Sequence, residues 1–490
     1  DGKESDFHLW KGSTNHGRKV RNRLISRSEL ENNAPEDYTI PTGLIQEAKD
    51  GDYPDYFLKD DVQTVNITMP DKNLDYILQH AVNKPSAMTT SVKIGNSPEI
   101  GYASLKTKGN YTLRHTAENT QSDRFSFTIN FGKYIKKNWG QNNNAKKQNF
   151  YGCHKISFNN CLNDKTFLKE YNAMRLMDEM GLPTPEYGIA KLSINGEYYG
   201  VYFMVEAMDG TIIERHKNFD SKGVSDYIAK PDYTKLSYDF DNSCVEQCVE
   251  NGVITMDALR EKGLLWKEEN GDYNAAGVMW EQFGALWEND HDTLQDVAKE
   301  IPAVLTWNRK LQRLSNGQNF NGTKIDTNSS AYLSLLEEIV DVNEVVKYFA
   351  SLSFIISMDN MVTWGQNYGL YIDKDGKATL VPWDHDLGWG GYFKPDTTEA
   401  IANWDIDQLY PGDFYDMGIG ELQDRNMTRA QIYSLVPLFH VIYQNSSLMK
   451  KYHAYMDDCT KIVSMGGTTS EKKTYEPGRF AKTIDALYPS

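Results

Sequence analysis

The chain has no long apolar run. Nowhere in its 490 residues does a segment reach the roughly 18 apolar residues that a spanning helix needs, so no membrane span is expected. Positive charge is short as well: 52 Lys and Arg stand against 68 Asp and Glu, a formal net charge of −16 at pH 7. That balance excludes nucleic acid and anionic membrane surfaces as natural partners and favours basic peptides. Cysteine is scarce, with five residues and no Cys-x-x-Cys or Cys/His zinc spacing, so structural zinc is not expected. Cys153 with Cys161 and Cys244 with Cys248 are spaced for two local disulfides, leaving Cys459; five thiols is the other reading. Several catalytic signatures are missing too. There is no G-x-x-x-x-G-K-[ST] loop, no H-E-x-x-H, no G-x-S-x-G and no G-x-G-x-x-G.

What is present suffices for a large core: 40% apolar residues, ten Trp and thirty Tyr. The length points to one large or two fused domains. The chain opens at Asp1 without an apolar leader, as in a mature or trimmed product. Residues 1–58 read as a polar lead or strap. Residues 59–240 alternate short strands with one helix, predicted over Lys165–Met180, with Asp164 as its N-cap and Gly181 as its stop. Asn195-Gly196 marks a hairpin turn. Residues 241–490 are richer in helix: mostly helical over Val253–Arg313, then helices over Tyr332–Ser357 and Ser434–Lys461, with an irregular aromatic stretch over Phe393–Gln423. The fold class is therefore α+β, with a strand-rich small lobe and a helix-rich large lobe.

The segment from Asp359 to Gly391 holds the most specific signal. Asp359-Asn360 closes an apolar run. Tyr368–Ile372 and Ala378–Pro382 are two apolar runs flanking Asp375-Gly376, a strong hairpin signal. Such a hairpin brings Asn367 beside Asp384 and Asp386. Asp, then Asn, then Asp across a hairpin is the order in which protein kinases place catalytic base, second metal ligand and first metal ligand. Hard oxygen donors suit Mg²⁺, and a carboxylate can orient an attacking hydroxyl. Asp359 is thus the candidate base, and Asn367, Asp384 and Asp386 the candidate metal ligands. On an extended strand both acids face one side while Trp383 and His385 face the other, so neither a zinc role nor a direct chemical role is expected for His385. Asp373-Lys-Asp375-Gly reads as a turn rather than a calcium loop.

This segment resembles the CotH kinase family, in which a Pro-Trp-Asp-x-Asp motif is followed by Gly; Pro382–Asp386 with Gly388 and Gly390 fits it. Further stretches resemble the family in order: Val62–Met69, Asn73–Ile77, Lys108-Gly109-Asn110 (Lys for the family's Arg), Lys155–Asn160, Gly181–Pro185, Asn195–Gly200 and Val201–Glu206. The resemblance spans roughly residues 60 to 460, with a divergent middle. It implies an atypical two-lobed protein kinase using ATP with Mg²⁺, or with Mn²⁺ or Ca²⁺, on Ser or Thr of secreted or surface proteins, acting as a monomer. It also allows a catalytically weak surface adhesin, since the family has such fungal members. A metal-dependent hydrolase built on the same carboxylates is a third reading.

Within the small lobe, Lys155 on a strand and Glu170 fifteen residues later on a helix have the spacing of the kinase Lys–Glu pair that faces the nucleotide phosphates. Glu206 ends a strand where the lobes join, its backbone toward adenine. Lys108 opens a glycine turn whose amides suit a phosphate. Arg124-Phe125 stands where family kinases often carry Lys, which makes Arg124 the candidate cation there. Six Asn-x-Ser/Thr sequons, starting at Asn66, Asn110, Asn321, Asn328, Asn426 and Asn445, lean toward a secreted or cell-surface protein.

Overall fold

A computed structural model describes residues 24–35, 53–119, 122–134, 148–208, 210–216, 228–229, 245–267, 273–275, 294–357, 359–362, 365–389, 429–464, 467–468 and 474–475. The described chain forms two compact units. The first holds the residues up to Asn172 and Pro185–Ala207; the second holds Ala173–Thr184 and the residues from Met208 onward. The stretch Phe393–Gln423 lies outside the described residues.

The first unit is built on an eight-stranded sheet. Its strands are β1 (Val62–Thr68), β2 (Ser86–Met88), β3 (Ser91–Ile94), β4 (Ser104–Thr107), β5 (Phe127–Asn130), β6 (Lys155–Asn159), β7 (Tyr187–Ile194) and β8 (Glu197–Glu206), in the spatial order β2-β4-β5-β6-β8-β7-β1-β3. β1 and β7 run parallel and the other neighbours antiparallel. Strand alternation sorts the side chains. Leu105, Phe127, Ile129, Ile156, Phe158 and Met204 share one apolar cluster. The residues between them, Lys106, Thr128, Ser157 and Asn159, form a polar opposite face. The β7–β8 turn is made at Asn195 (φ +52°) and Gly196 (φ +78°), the paired left-handed conformation a two-residue hairpin requires.

The polar lead reaches further into the fold than its composition suggests. Arg27–Asn32 is a short helix, α1, and Tyr53 and Phe57 are buried in the sheet's apolar cluster. The Phe57 carbonyl lies where a side chain at Gly188 would begin, 2.0 Å from an ideal Cβ, so only glycine permits this approach. Two further helices belong to this unit, α2 (Asp71–Gln79) and α3 (Tyr111–Asn119).

The next helix, α4, spans Lys169–Glu179, four residues shorter at its start than the sequence predicts. Phe167 adopts φ +61°, which a right-handed helix cannot contain. Asp164 instead ties the preceding turn, accepting Thr166 N at 2.8 Å, Thr166 Oγ1 at 2.6 Å and Lys169 N at 2.7 Å. Gly181, at φ +79°, ends the helix as expected, with Leu182 N bonded to Met177 O at 3.0 Å.

The second unit packs one core from α5 (Leu294–Ser315), α6 (Ser330–Ile339), α7 (Val342–Phe354), α8 (Pro437–Tyr443) and α9 (Ser446–Val463). The single helices expected over 332–357 and 434–461 are each interrupted by a side-chain cap. Asp341 accepts Glu344 N at 3.0 Å, and Asn445 accepts Ser447 N and Leu448 N at 3.0 and 2.9 Å. An Asp or Asn facing two free N–H groups competes with helix continuation and restarts it. Val253–Arg313 is not uniformly helical either. Val253–Ile254 is a strand paired with Val249–Glu250 just before it, and Leu265–Lys267 pairs with Tyr273–Ala275.

Cys153, Cys161, Cys248 and Cys459 are buried free thiols, so neither local disulfide forms; Cys244 lies outside the described residues. The five-residue strand β6 separates Cys153 from Cys161, a span of about 16 Å, beyond the ~7 Å between Cα atoms that a disulfide bridges. Burial pushes the Cys459 thiol up to about 12.

An ion cluster ties the second unit together. Arg309 Nε donates to both oxygens of Glu246 at 2.9 and 2.7 Å, its Nη2 to Oε1 at 2.6 Å, and Arg313 Nη2 adds a contact at 3.3 Å. Burial alone would raise the Glu246 carboxyl, but the arginine hydrogen bonds and charges hold it below the usual range. A depressed carboxyl contributes stability above its unfolded value of about 4.3 and loses it as pH falls through the folded value. Glu246→Gln is therefore expected to destabilise the protein by about 2 kcal/mol at pH 7, between exposed and buried pairs. The gap to wild type in urea unfolding is expected to close as the pH drops below about 4.

Candidate functional site

The predicted hairpin forms as β10 (Tyr368–Ile372) and β11 (Ala378–Pro382), in register from Tyr368↔Pro382 to Ile372↔Ala378. β9 (Ile228–Ala229) pairs with its outer edge. Every residue of both hairpin strands is buried. The closing turn is organised by Asp373, whose carboxylate accepts Asp375 N at 2.9 Å and Lys377 N at 2.8 Å, with Gly376 at φ +81°. Asp373 thus satisfies backbone donors, the behaviour of a turn residue.

The register sets Asn367 and Trp383 at the open end of the hairpin, one residue beyond the last pair. Asn367 (φ +61°) and Asp384 (φ +55°) are both left-handed. This conformation costs most residues roughly 1 kcal/mol or more, and Asn and Asp tolerate it best. Strained backbone on both sides of one hairpin mouth is a pattern that clusters at functional sites.

Asn367 Nδ2 donates to the Asp359 carbonyl at 2.8 Å. That bond orients the amide, so Oδ1 is the atom left for a cation. The Asp359 carboxylate accepts from Gln366 Nε2. Asn360 builds the loop between: its Nδ2 donates to Ser357 O, and its Oδ1 accepts Val362 N at 2.6 Å. Asp359, Asn367, Asp384 and Asp386 are all partly exposed, while Trp383 and His385 are buried.

The burial alternates as expected, but not for the expected reason. β11 ends at Pro382, Asp384 is left-handed, and Gly388 N bonds back to His385 O at 3.0 Å. The segment has already turned, so strand pleat does not govern where Asp384 and Asp386 point. His385 is 1% exposed and its Nδ1 lies 3.4 Å from Ser357 Oγ. Burial pushes its imidazole down to about 4 against the pull of the Asp384 charge, so it is neutral. Trp389 N bonds to Ile355 O, and its ring meets Phe354 edge-on at 6.2 Å. The loop is thereby fastened to the end of α7.

The carboxylates of Asp384 and Asp386 and the amide oxygen of Asn367 are hard donors of the kind Mg²⁺ shares with substrate phosphates. The orientation of Asn367 fits such an ion. Among the described residues, no group of three or more His, Cys, Asp and Glu side chains converges on a metal position. A cation held by Asn367, Asp384 and Asp386 would complete its shell with ligands from outside the protein.

In the first unit, Lys155 and Glu170 occupy the predicted strand and helix. The structure brings Asn159 to Glu170: Asn159 Nδ2 lies 3.2 and 2.9 Å from the two carboxylate oxygens. Lys108 Nζ bonds to Asn159 Oδ1. Lys155 lies on the same face of β6, four residues and about 13 Å earlier. Glu206 lies on the other face, since it pairs with Ile156. Fully buried, its carboxylate accepts Tyr53 OH at 2.7 Å and Glu186 N at 3.0 Å, and its own N–H donates to Glu186 O at 2.8 Å. Arg124 is buried as well. Its guanidinium donates to the Asn160 and Val201 carbonyls and lies over Tyr202 at 4.8 Å and Phe167 at 5.0 Å. Those contacts make it a structural cation of the core.

Gln366 and Asn159 were not foreseen. Nothing in the local spacing marks Gln366. Asn159 was legible, since two steps of alternation from Lys155 put it on the same face.

A family model, CotH kinase protein, matches residues 105–463. The match covers well over half of the chain and includes both residue clusters, so the chain belongs to the CotH kinase family and has a kinase-like α+β fold. No curated protein matches the chain.

His385 faces away from the two acids and is buried, so its role is in packing. His385→Ala empties a packed position and removes the group facing Ser357. It is expected to lower stability by about 1–3 kcal/mol, seen as a lower thermal midpoint, rather than to act on chemistry directly.

Proposed function

We propose that the chain transfers the terminal phosphoryl group of ATP, with Mg²⁺ or Mn²⁺, to Ser or Thr hydroxyls of a protein substrate. The observation that carries this reading is the hairpin mouth, where Asn367 bonds to the Asp359 carbonyl and the left-handed Asp384 lies two residues beyond Pro382. Asp359 accepts the proton of the attacking hydroxyl, held in place by Gln366. Asp384, Asp386 and Asn367 Oδ1 would hold the divalent ion, which when bound would neutralise charge on the phosphates. Asn360 braces the loop beside the base through its bonds to Ser357 O and Val362 N.

A secreted or cell-surface setting belongs to the same proposal. The exposed sequon asparagines Asn66, Asn110, Asn321 and Asn328 support it. Asn445 is 1% exposed and caps α9, so that sequon is closed to modification in the folded chain. No helix among the described residues is long and apolar enough to cross a membrane.

ATP is expected to raise the thermal midpoint only with Mg²⁺ or Mn²⁺ present, because a ligand stabilises in proportion to its binding to the native state. The absence of any shift with every divalent ion would refute the kinase reading and leave a binding protein of the same fold. Asp359→Asn is expected to bind nucleotide with unchanged affinity and to lose ~10²–10⁴-fold in transfer, the usual contribution of a general base. Normal transfer to a protein acceptor by that variant would place the base elsewhere.

A further inference from the structure

Within the described residues the chain passes between the two units at three places. It does so between Asn172 and Ala173 inside α4, between Thr184 and Pro185 ahead of β7, and between Ala207 and Met208 after β8. One segment of the N-terminal lead, residues 53–61, touches the first-unit side of each crossing. Tyr53 OH donates to Glu206 Oε1 at 2.7 Å, just before Ala207. Lys59 Nζ lies 3.3 Å from Glu186 Oε2 and 5.0 Å over the Tyr187 ring, just after Pro185. The Lys59 carbonyl accepts Tyr171 OH, just before Asn172. The crossings are also tied to one another. Glu206 N donates to Glu186 O at 2.8 Å, Glu186 N donates to Glu206 Oε2 at 3.0 Å, and Tyr171 meets Tyr187 edge-on at 5.7 Å.

The segment is built to seat as one piece. Tyr53–Tyr56 is a single tight helical turn, in which Pro54 has its φ fixed by the ring. Phe57 N closes that turn on Pro54 O at 3.1 Å. Tyr53 and Phe57 are buried in the apolar cluster of the sheet, and Tyr56 stacks on Tyr151 at 5.0 Å. The Phe57 carbonyl fills the space that a side chain at Gly188 would need. Leu58 then takes φ +49°, and Asp61 N reaches back to Leu58 O at 3.1 Å. Leucine disfavours the left-handed conformation, which persists only where the surroundings impose it, and residues held this way cluster at switch regions. The seated strap thus balances an apolar anchor against a strained turn.

We infer that residues 53–61 are a clasp on the crossings, a strap whose seating fixes the first-unit ends of all three and whose lifting frees them together. The inference stands apart from the phosphoryl-transfer reading and holds for an enzyme and for a binding protein alike. Its basis is convergence. Packing alone would need only the rings of Tyr53 and Phe57. Here the Tyr53 hydroxyl, the Lys59 ammonium and the Lys59 carbonyl each go to a residue beside a crossing. The buried Glu206 carboxylate couples two of those places, since one oxygen takes the strap and the other takes the Glu186 amide. Lifting the strap removes a donor from that carboxylate where β8 leaves the sheet, so the loss is felt at the crossing itself.

The test is amide hydrogen exchange of the full chain, read on peptides that contain Asn172, Glu186 and Glu206. Two variants lift the strap from different points. Gly188→Ala sets a methyl group against the Phe57 carbonyl and carries none of the strap's polar bonds itself. Tyr53→Phe removes one hydroxyl and keeps the buried ring. Both are expected to speed exchange in all three peptides together by roughly tenfold or more, the scale of one lost hydrogen bond to a charged group. The paired strands β4 and β5 belong to the same unit and are expected to exchange as in wild type. Acceleration that extends equally to β4 and β5 overturns the clasp, because the strap would then only share in global stability. Tyr53→Phe that loosens Glu206 while Asn172 stays at the wild-type rate overturns it as well, since the strap would not move as one body. Wild-type exchange at all three places in Tyr53→Phe has the same consequence, whether or not Gly188→Ala folds.

Discussion

The register of one buried hairpin governs the candidate active site. Tyr368 opposite Pro382 and Ile372 opposite Ala378 leave no freedom in which residues flank the open end. All ten positions are buried, so a slip of one residue would exchange the side chains packed on the two faces and force both to repack. Burial on both faces therefore locks Asn367 against the Trp383-Asp384 turn. From there the consequences are local. Asn367 can reach the Asp359 carbonyl, and Asp384 must take a left-handed turn because the chain leaves the sheet at once. The same turn buries His385 against Ser357 and lets Gly388 close back on the His385 carbonyl.

The sheet of the first unit works by a different constraint, the two-sidedness of a strand. One face carries the aromatic and aliphatic residues that make a core. The other keeps Ser, Thr, Asn and Lys side chains about 6.6 Å apart along each strand, since only every second residue shares a face. Polar groups buried on such a face must pair with one another. Thr128 with Ser157 at 3.3 Å and Asn159 with Glu170 do so. The cationic end of the second network is the part that meets solvent. Glu206 and Arg124 show the contrary case. Each is a charged side chain enclosed in the core: Glu206 accepts Tyr53 OH and Glu186 N, and Arg124 donates to the Asn160 and Val201 carbonyls and lies over Tyr202, contacts that hold the fold together.

Local chemistry was readable wherever a residue type has few conformational options. The Asn195-Gly196 and Asp375-Gly376 turns, the stop at Gly181 and the family motif at Pro382–Asp386 are such places, because positive φ and tight turns admit few residues. The caps at Asp341 and Asn445 were legible in principle, since Asp341-Val-Asn-Glu344 has the form of a capping box. They were hidden by apolar residues that keep helical spacing across the break. The start of α4 was not legible: Phe167 is left-handed only because Asp164 binds the turn before it.

The sequence by itself determined the α+β class, the kinase family and the existence of an acidic hairpin, because these rest on periodicity, turn residues and ordered motifs that are local in the chain. Only the tertiary structure decided which polar groups meet. Lys108 and Asn159 are 51 residues apart and become partners through the register of three strands. Tyr53 finds Glu206 across 153 residues because its helical turn packs into the sheet's apolar cluster. Spacing along the chain measures neither distance. A side chain's reach depends on which strand lies beside its own, and that is set by packing the whole sheet.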